Sequence, residues 1–216
     1  MNNKAFKPEP LIFPRGVRFP RKDEIPGDPT DVLDRVAKAN LTTGYIVRAA
    51  NNEPFETYIE ANVHAPNIFD VFRKLVVGLM PDVVAPLIGI KEEELVFGPY
   101  TDRTSAMEVF EPYVDLLEND GFLEFGMIHQ SESAFEEVFV ASSKYFKIWT
   151  NNCSAAEDIL LSAGIPRCDS LEFIDEYPMT SVSADDDGNA AWVGPVYELQ
   201  DEFLNLPQPS IVDRDQ

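Results

Sequence analysis

Residues 122–150 have the sequence FLEFGMIHQSESAFEEVFVASSKYFKIWT, and this stretch decides the fold. Segments 122–129 and 134–141 are rich in aromatic and aliphatic residues and predict two strands. The polar segment 130–133 between them predicts a turn. A third strand is predicted at 144–150. Successive strands with such short connections are typical of an antiparallel sheet.

A helix is predicted directly after these three strands. Ser154 and Glu157 have the spacing of a capping box, which marks the start of a helix. Gly164, with Pro166 beyond it, is typical of a helix end. A further strand is predicted at 171–174.

The N-terminal half of the chain predicts a similar mixture of elements. Asn67 is suited to cap a helix whose apolar residues recur at helical spacing, and Pro112 is expected to kink a second long helix. Pro81 and Pro86 are expected to break the chain. The helices are predicted at about 30–40, 68–80 and 103–119, and the strands at 42–49, 55–65 and 94–100.

These elements predict an α+β fold, with a mostly antiparallel sheet, three to four helices packed on it and an extended N-terminal arm. The arm is expected at 1–29, a basic segment with six prolines, because proline at this density disfavours a long helix. Residues 30–180 are expected to form the α+β domain. Residues 181–216 are expected to form an acidic extension packed on the same domain.

The net charge of −21 is unevenly distributed along the chain. Residues 1–50 hold nine basic and six acidic groups, a net of +3, and residues 51–216 hold eight basic and thirty-two acidic groups, a net of −24. A field of this sign repels nucleic acids and anionic lipids and attracts cationic surfaces. The charge therefore serves solubility alone or steers the chain toward a basic protein partner, and it predicts neither direct nucleic-acid binding nor membrane binding.

The cysteines and the N-terminus predict a cytoplasmic location. Cys153 and Cys168 are expected to be free thiols in a reducing compartment. The first residues lack the apolar segment of a signal peptide, and the longest apolar run, 75–80, is too short to span a bilayer. The oligomeric state is left open.

The sequence predicts a protein without catalytic activity, because no nucleophile lies in a recognisable catalytic motif. The alternative is a cysteine-dependent enzyme in which Cys153, at the start of a predicted helix, pairs with His129.

No metal or other cofactor is expected. The chain has two histidines, His64 and His129, so a metal site would depend on carboxylates. The acidic segment that begins at Asp185 lacks the spacing of a calcium loop, whose twelfth position is glutamate where this chain has Val196. No glycine-rich phosphate-binding loop is present.

Acidic and aromatic residues that are expected to be exposed form the candidate partner-binding set. Exposed tryptophan or tyrosine surrounded by carboxylates has the composition of an interface that binds a basic protein. Tyr145, Phe146 and Trp149 alternate on a strand and are expected in the core. The candidate residues are Glu132, Glu136, Glu137, Asp185, Asp186, Asp187, Trp192 and Tyr197.

Residues 137–151, the helix that follows and residues 171–175 resemble the C-terminal part of small bacterial α+β proteins. The likeness covers about residues 120–178 and is to the immunity proteins encoded beside polymorphic or contact-dependent toxins. It implies a stoichiometric inhibitor that masks the basic active-site surface of a cognate toxin. A second alternative is an inhibitor that mimics DNA and blocks a nucleic-acid enzyme.

Overall fold

The computed structural model describes residues 8–50, 53–132, 134–183 and 193–208. The strands within these residues are β1 (Val17–Arg18), β2 (Gly44–Ala49), β3 (Thr57–Asn62), β4 (Val83–Ile90), β5 (Val96–Phe97), β6 (Thr101–Asp102), β7 (Leu123–Gln130), β8 (Phe135–Val140), β9 (Tyr145–Thr150) and β10 (Thr180–Ser181). The helices are α1 (Thr30–Val36), α2 (Ile68–Leu79), α3 (Arg103–Phe110), α4 (Val114–Asn119), α5 (Cys153–Ser162) and α6 (Val193–Leu204).

The main sheet has the strand order β2-β3-β9-β8-β7-β4-β5, and β6 pairs with β4 outside this path. Every pairing between these strands is antiparallel. A separate two-stranded ladder joins β1 to β10. The structure therefore confirms the predicted α+β fold with a mostly antiparallel sheet.

The core lies between one face of the sheet and the helices. Alternate residues of the central strands point to this side, so that Phe125, Val138 and Ile148 are fully buried. They pack against the apolar side of α2, where Phe72 and Leu75 are fully buried as well. The apolar residues that recur every second position in the strands and at helical spacing in α2 thus pack together in one core.

Two predicted boundaries are correct. The helix predicted at 103–119 is divided into α3 and α4 by a turn at Glu111–Tyr113, which contains Pro112. The end of α5 is followed by Gly164, whose φ of +81° suits glycine.

Three predictions about local structure are wrong. The N-cap of α5 is Asn152, whose side chain accepts a hydrogen bond from the amide of Ala155, and not Ser154. The predicted strand at 171–174 is irregular chain leading into a 3-10 turn at Ile174–Glu176. Besides the three wrong predictions, the helix α6 was missed.

The third error concerns Pro86, which was expected to break the chain and lies inside β4. Its carbonyl accepts a hydrogen bond from Gly98, so its nitrogen faces the same side of the strand. On that side β4 pairs only with the short strands β5 and β6, and Pro86 lies between the residues that they contact. The missing N–H is therefore not needed.

The described part of the N-terminal arm is fixed to the rest of the protein. Backbone hydrogen bonds join Leu11 to Leu41 and Ile12 to Ala65. Val17 is fully buried in the β1–β10 ladder. Residues 8–29 of the arm are therefore part of the folded unit. Among the described helices, none combines the length and the apolar character needed to cross a membrane.

Candidate functional site

The two faces of the main sheet differ. Helices α2 to α6 pack on one face. On the other face the described residues that pack include Leu95, Leu171 and Phe173, and Phe173 lies against Tyr145 at one end of β9. We call this second side the open face. Its side chains alternate along each strand with those of the core. The open face includes Ile46, Arg48, Tyr58, Glu60, Phe97, Ile128, Phe135, Glu137, Phe139, Tyr145, Lys147 and Trp149.

Glu137 lies near the middle of the open face among apolar side chains. It is directly opposite Ile128 on β7 and Trp149 on β9, and Phe135 and Phe139 are its neighbours on its own strand. Desolvation raises the pKa of this carboxyl from 4.5 to about 7, and no hydrogen bond or opposite charge from the described residues lowers it. Among the described residues, Glu137 is thus a half-buried acid without a partner.

An aromatic pair borders Glu137 on one side. The rings of Tyr58 and Trp149 are stacked at a tilt, with centroids 5.2 Å apart. The Tyr58 hydroxyl donates to Oε1 of Glu60 at 3.0 Å, and Nη2 of Arg48 lies 2.9 Å from the other oxygen of that carboxylate. The orientation of Tyr58 is therefore fixed, and Tyr58 in turn supports the ring of Trp149.

The two cations of the open face are engaged away from Glu137. Arg48 pairs with Glu60. Lys147 lies directly opposite Glu60 across β3 and β9, and its ammonium is 5.4 Å from the centroid of the Tyr145 ring. Neither lies within ion-pair distance of Glu137.

The structure separates the residues predicted to bind a partner. Glu132 is exposed in the turn between β7 and β8. Glu137 is on the open face, but Glu136 points to the core side, because adjacent strand residues face opposite ways. Tyr197 is about half exposed on α6, which packs through Leu199 and Phe203 on the core side. Asp185, Asp186, Asp187 and Trp192 lie outside the described residues.

Glu136 is only 7% exposed and therefore differs from a surface carboxylate. Its Oε1 accepts a hydrogen bond from the amide of Asn151, and its Oε2 is buried without a hydrogen-bond partner among the described residues. Burial raises the pKa of its carboxyl. We therefore place Glu136 in the core and exclude it from the candidate binding surface.

The expectation that Tyr145, Phe146 and Trp149 belong to the core is correct for the first two residues. Phe146 is buried among the helices, and Tyr145 is buried on the open face against Phe173. Trp149 is half-buried on the open face, beside Glu137. Sequence reasoning thus missed Trp149 and Tyr58 as binding candidates. Trp149 and Tyr58 are adjacent in sequence to the core residues Ile148 and Ile59. The period of two of a strand therefore places them on the opposite face, and this signal could have found them.

The structure does not bring Cys153 and His129 together. The Cys153 thiol interacts with Thr57 on β3, whereas His129 is on β7, three strands away, which corresponds to about 14 Å. Burial raises the pKa of Cys153, the opposite of the effect that activates a thiol. The ring of His129 is held by Val83, with 2.8 Å between Nδ1 and the carbonyl oxygen.

Other sites in the described part of the chain offer less. No group of three or more histidine, cysteine, aspartate or glutamate residues there has an arrangement that would hold a metal ion. A cavity of about 210 Å³ lies between the arm and the ends of α2 and α5, lined in part by Thr43, His64 and Asn67. His64 already accepts a hydrogen bond from the amide of Ile12 at its Nδ1.

Comparisons with protein-family models, curated proteins and solved structures found no match for this chain.

Proposed function

We propose that this chain is a non-catalytic binding protein of the immunity type, which neutralises a basic bacterial toxin by covering its active-site surface. The observation that carries the proposal is the open face of the sheet, with its aromatic pair and the unpaired Glu137. A half-buried carboxylate costs stability unless a partner supplies the opposite charge. Tyrosine and tryptophan are the residues most enriched at the centre of protein interfaces.

The charge of the whole chain supports the same proposal. The net charge of −24 over residues 51–216 attracts a basic surface from a distance. Such attraction raises the association rate by orders of magnitude at low salt. An inhibitor of a toxin made in the same cell benefits from this speed.

The two alternatives have less support. The enzyme alternative depends on a Cys153–His129 pair, but Cys153 begins α5 beside Thr57 of β3, whereas His129 lies on β7. A DNA mimic needs carboxylates in a regular row on one surface. On the open face, Glu60 is neutralised by Arg48, and Glu137 stands among apolar side chains.

The test uses the protein encoded by the neighbouring gene, purified in a form that has lost its toxicity. Calorimetry is expected to give a 1:1 complex. Stopped-flow fluorescence is expected to give an association rate that falls steeply as salt is raised from about 50 to about 500 mM. Co-expression with the active form is expected to restore growth. The proposal is overturned if the neighbouring protein is acidic, if it does not bind, or if it binds without relief of toxicity.

A further inference from the structure

Glu137 is the feature of the open face that the fold itself does not explain. The carboxylate accepts no hydrogen bond and forms no ion pair with any described residue. It stands between Ile128 and Trp149 in the pairing of the three strands, where an apolar or amide side chain would fit without a charge penalty. A cation that approaches from outside would supply the opposite charge that the described residues do not.

The surroundings of Glu137 restrict the kind of cation. The rings of Trp149 and Tyr58 form a rigid aromatic wall beside the carboxylate. A cation that enters here contacts a ring face on one side and a carboxylate on the other. A guanidinium group suits both, because it is planar, stacks on aromatic faces and pairs with a carboxylate through two parallel hydrogen bonds. A lysine ammonium is more strongly hydrated and would use the ring less well.

We propose that the Glu137 carboxylate and the Trp149 ring form the receptor for an arginine side chain of the protein partner. The inference rests on the proposed function, since it assumes a basic protein as the occupant. The acidic body and the unpaired carboxylate favour this occupant by charge complementarity. The partly buried Ile128 and the exposed Phe97, which is 56% accessible, provide apolar surface for the residues that flank the arginine.

A short peptide tests the receptor without the partner. The probe is acetyl-Gly-Gly-Arg-Gly-Gly-amide, titrated into the ¹⁵N-labelled full chain, with the citrulline peptide as a neutral analogue of the same shape. The arginine peptide is expected to shift the indole resonance of Trp149, identified with Trp149→Phe, and the amides around Glu137. The citrulline peptide is expected to bind at least about ten-fold more weakly.

Two variants separate a specific receptor from general attraction to an acidic protein. Glu137→Gln is expected to weaken arginine-peptide binding at least about ten-fold, because it removes the charge and keeps the shape. Glu108→Gln removes the same charge at an exposed position of α3, on the helix side of the sheet, and is expected to change binding by less than about two-fold. Equal losses in the two variants, or equal binding of the citrulline peptide, overturn the inference. Thermal melts verify that both variants are folded.

The same variants distinguish this inference from the proposed function. If the toxin partner binds wild type and Glu137→Gln equally tightly, the receptor is wrong and the proposed function stands. If the arginine peptide binds in a Glu137-dependent manner and no basic partner is neutralised, the receptor stands and the proposed function fails.

Discussion

Glu137→Gln is expected to stabilise the free protein while it weakens partner binding. The unpaired acid is disfavoured in the folded state because its charged form loses hydration among Ile128, Trp149 and the phenylalanines of β8. Each pKa unit corresponds to ~1.4 kcal/mol, so raising the pKa from 4.5 to about 7 corresponds to at most about 3.5 kcal/mol. Contact with solvent reduces this to about 1–2 kcal/mol.

The pH window follows from the direction of the shift. Below pH 4.5 Glu137 is protonated in both the folded and the unfolded chain, and its charge penalty is absent. As the pH rises towards 7 and beyond, the unfolded chain loses the proton first, so the free energy of unfolding decreases. The full penalty is present above about pH 7, and Glu137→Gln is expected to remove it.

Urea unfolding of wild type and Glu137→Gln at pH 5 and pH 8, followed by circular dichroism, measures this effect. The gain from the substitution is expected to be about 1–2 kcal/mol at pH 8 and smaller at pH 5. The difference between the two proteins cancels other groups that titrate, such as Glu118 and Glu136, whose pKa values are also raised by burial. A substitution that destabilises the protein at pH 8 would refute the reasoning, since Glu137 would then have an internal partner.

Three further substitutions test the fold and the site. Burial lowers the pKa of Lys144 to about 7, so as the pH rises the folded chain releases this proton before the unfolded chain does. The free energy of unfolding of wild type is therefore expected to rise by about 2–3 kcal/mol between about pH 7.5 and 9.5, and Lys144→Met is expected to abolish this rise. Urea unfolding at both pH values measures the rise, and the same rise in the two proteins would contradict the prediction. Gly121→Ala is expected to cost at least about 3 kcal/mol in urea unfolding, because an added Cβ would meet the carbonyl of Gly16, while Gly27→Ala, with nothing near its added Cβ, is expected to cost about 1 kcal/mol for its positive φ. Cys153→Ala is expected to leave partner affinity in calorimetry within about two-fold and to keep the relief of toxicity on co-expression, and a loss of that relief with unchanged affinity would favour the cysteine-dependent alternative.

The strands of the central sheet could be predicted from sequence because their residues alternate and their connections are short. The segment around Phe125, Val138 and Ile148 shows this most clearly, since each of these residues is fully buried and lies between neighbours of the opposite face. β4 could not be predicted because Pro86 signals a break. Pro86 is tolerated in the strand because it lies between the residues that pair with β5 and those that pair with β6, where no N–H is required. This arrangement depends on the tertiary structure and is not visible in the local sequence.

The candidate site could be predicted only in part. Alternation within one strand indicates which residues share a face, but the register with the neighbouring strands cannot be read from that strand. Glu136 and Glu137 are both glutamates at consecutive positions of one strand. A period of two assigns them to opposite faces of the sheet but does not indicate which face the helices cover. The pairing with Ile128 and Trp149 then determines that Glu137 lies among apolar groups, and this pairing joins segments from three different strands. Tyr58 belongs to β3, a more distant segment in the N-terminal half of the chain, and reaches the site by stacking on Trp149.

The acidic composition and the open face act over different distances and therefore have different roles. Surface carboxylates attract a basic partner over about 8–10 Å at physiological salt, and this attraction depends on their number more than on their positions. Glu137 contributes little to that attraction, since it is one of thirty-eight acidic residues. Its contribution is made at contact, where desolvation strengthens the interaction of a carboxylate with a guanidinium. Removing distant carboxylates should therefore slow association, whereas Glu137→Gln should mainly speed dissociation.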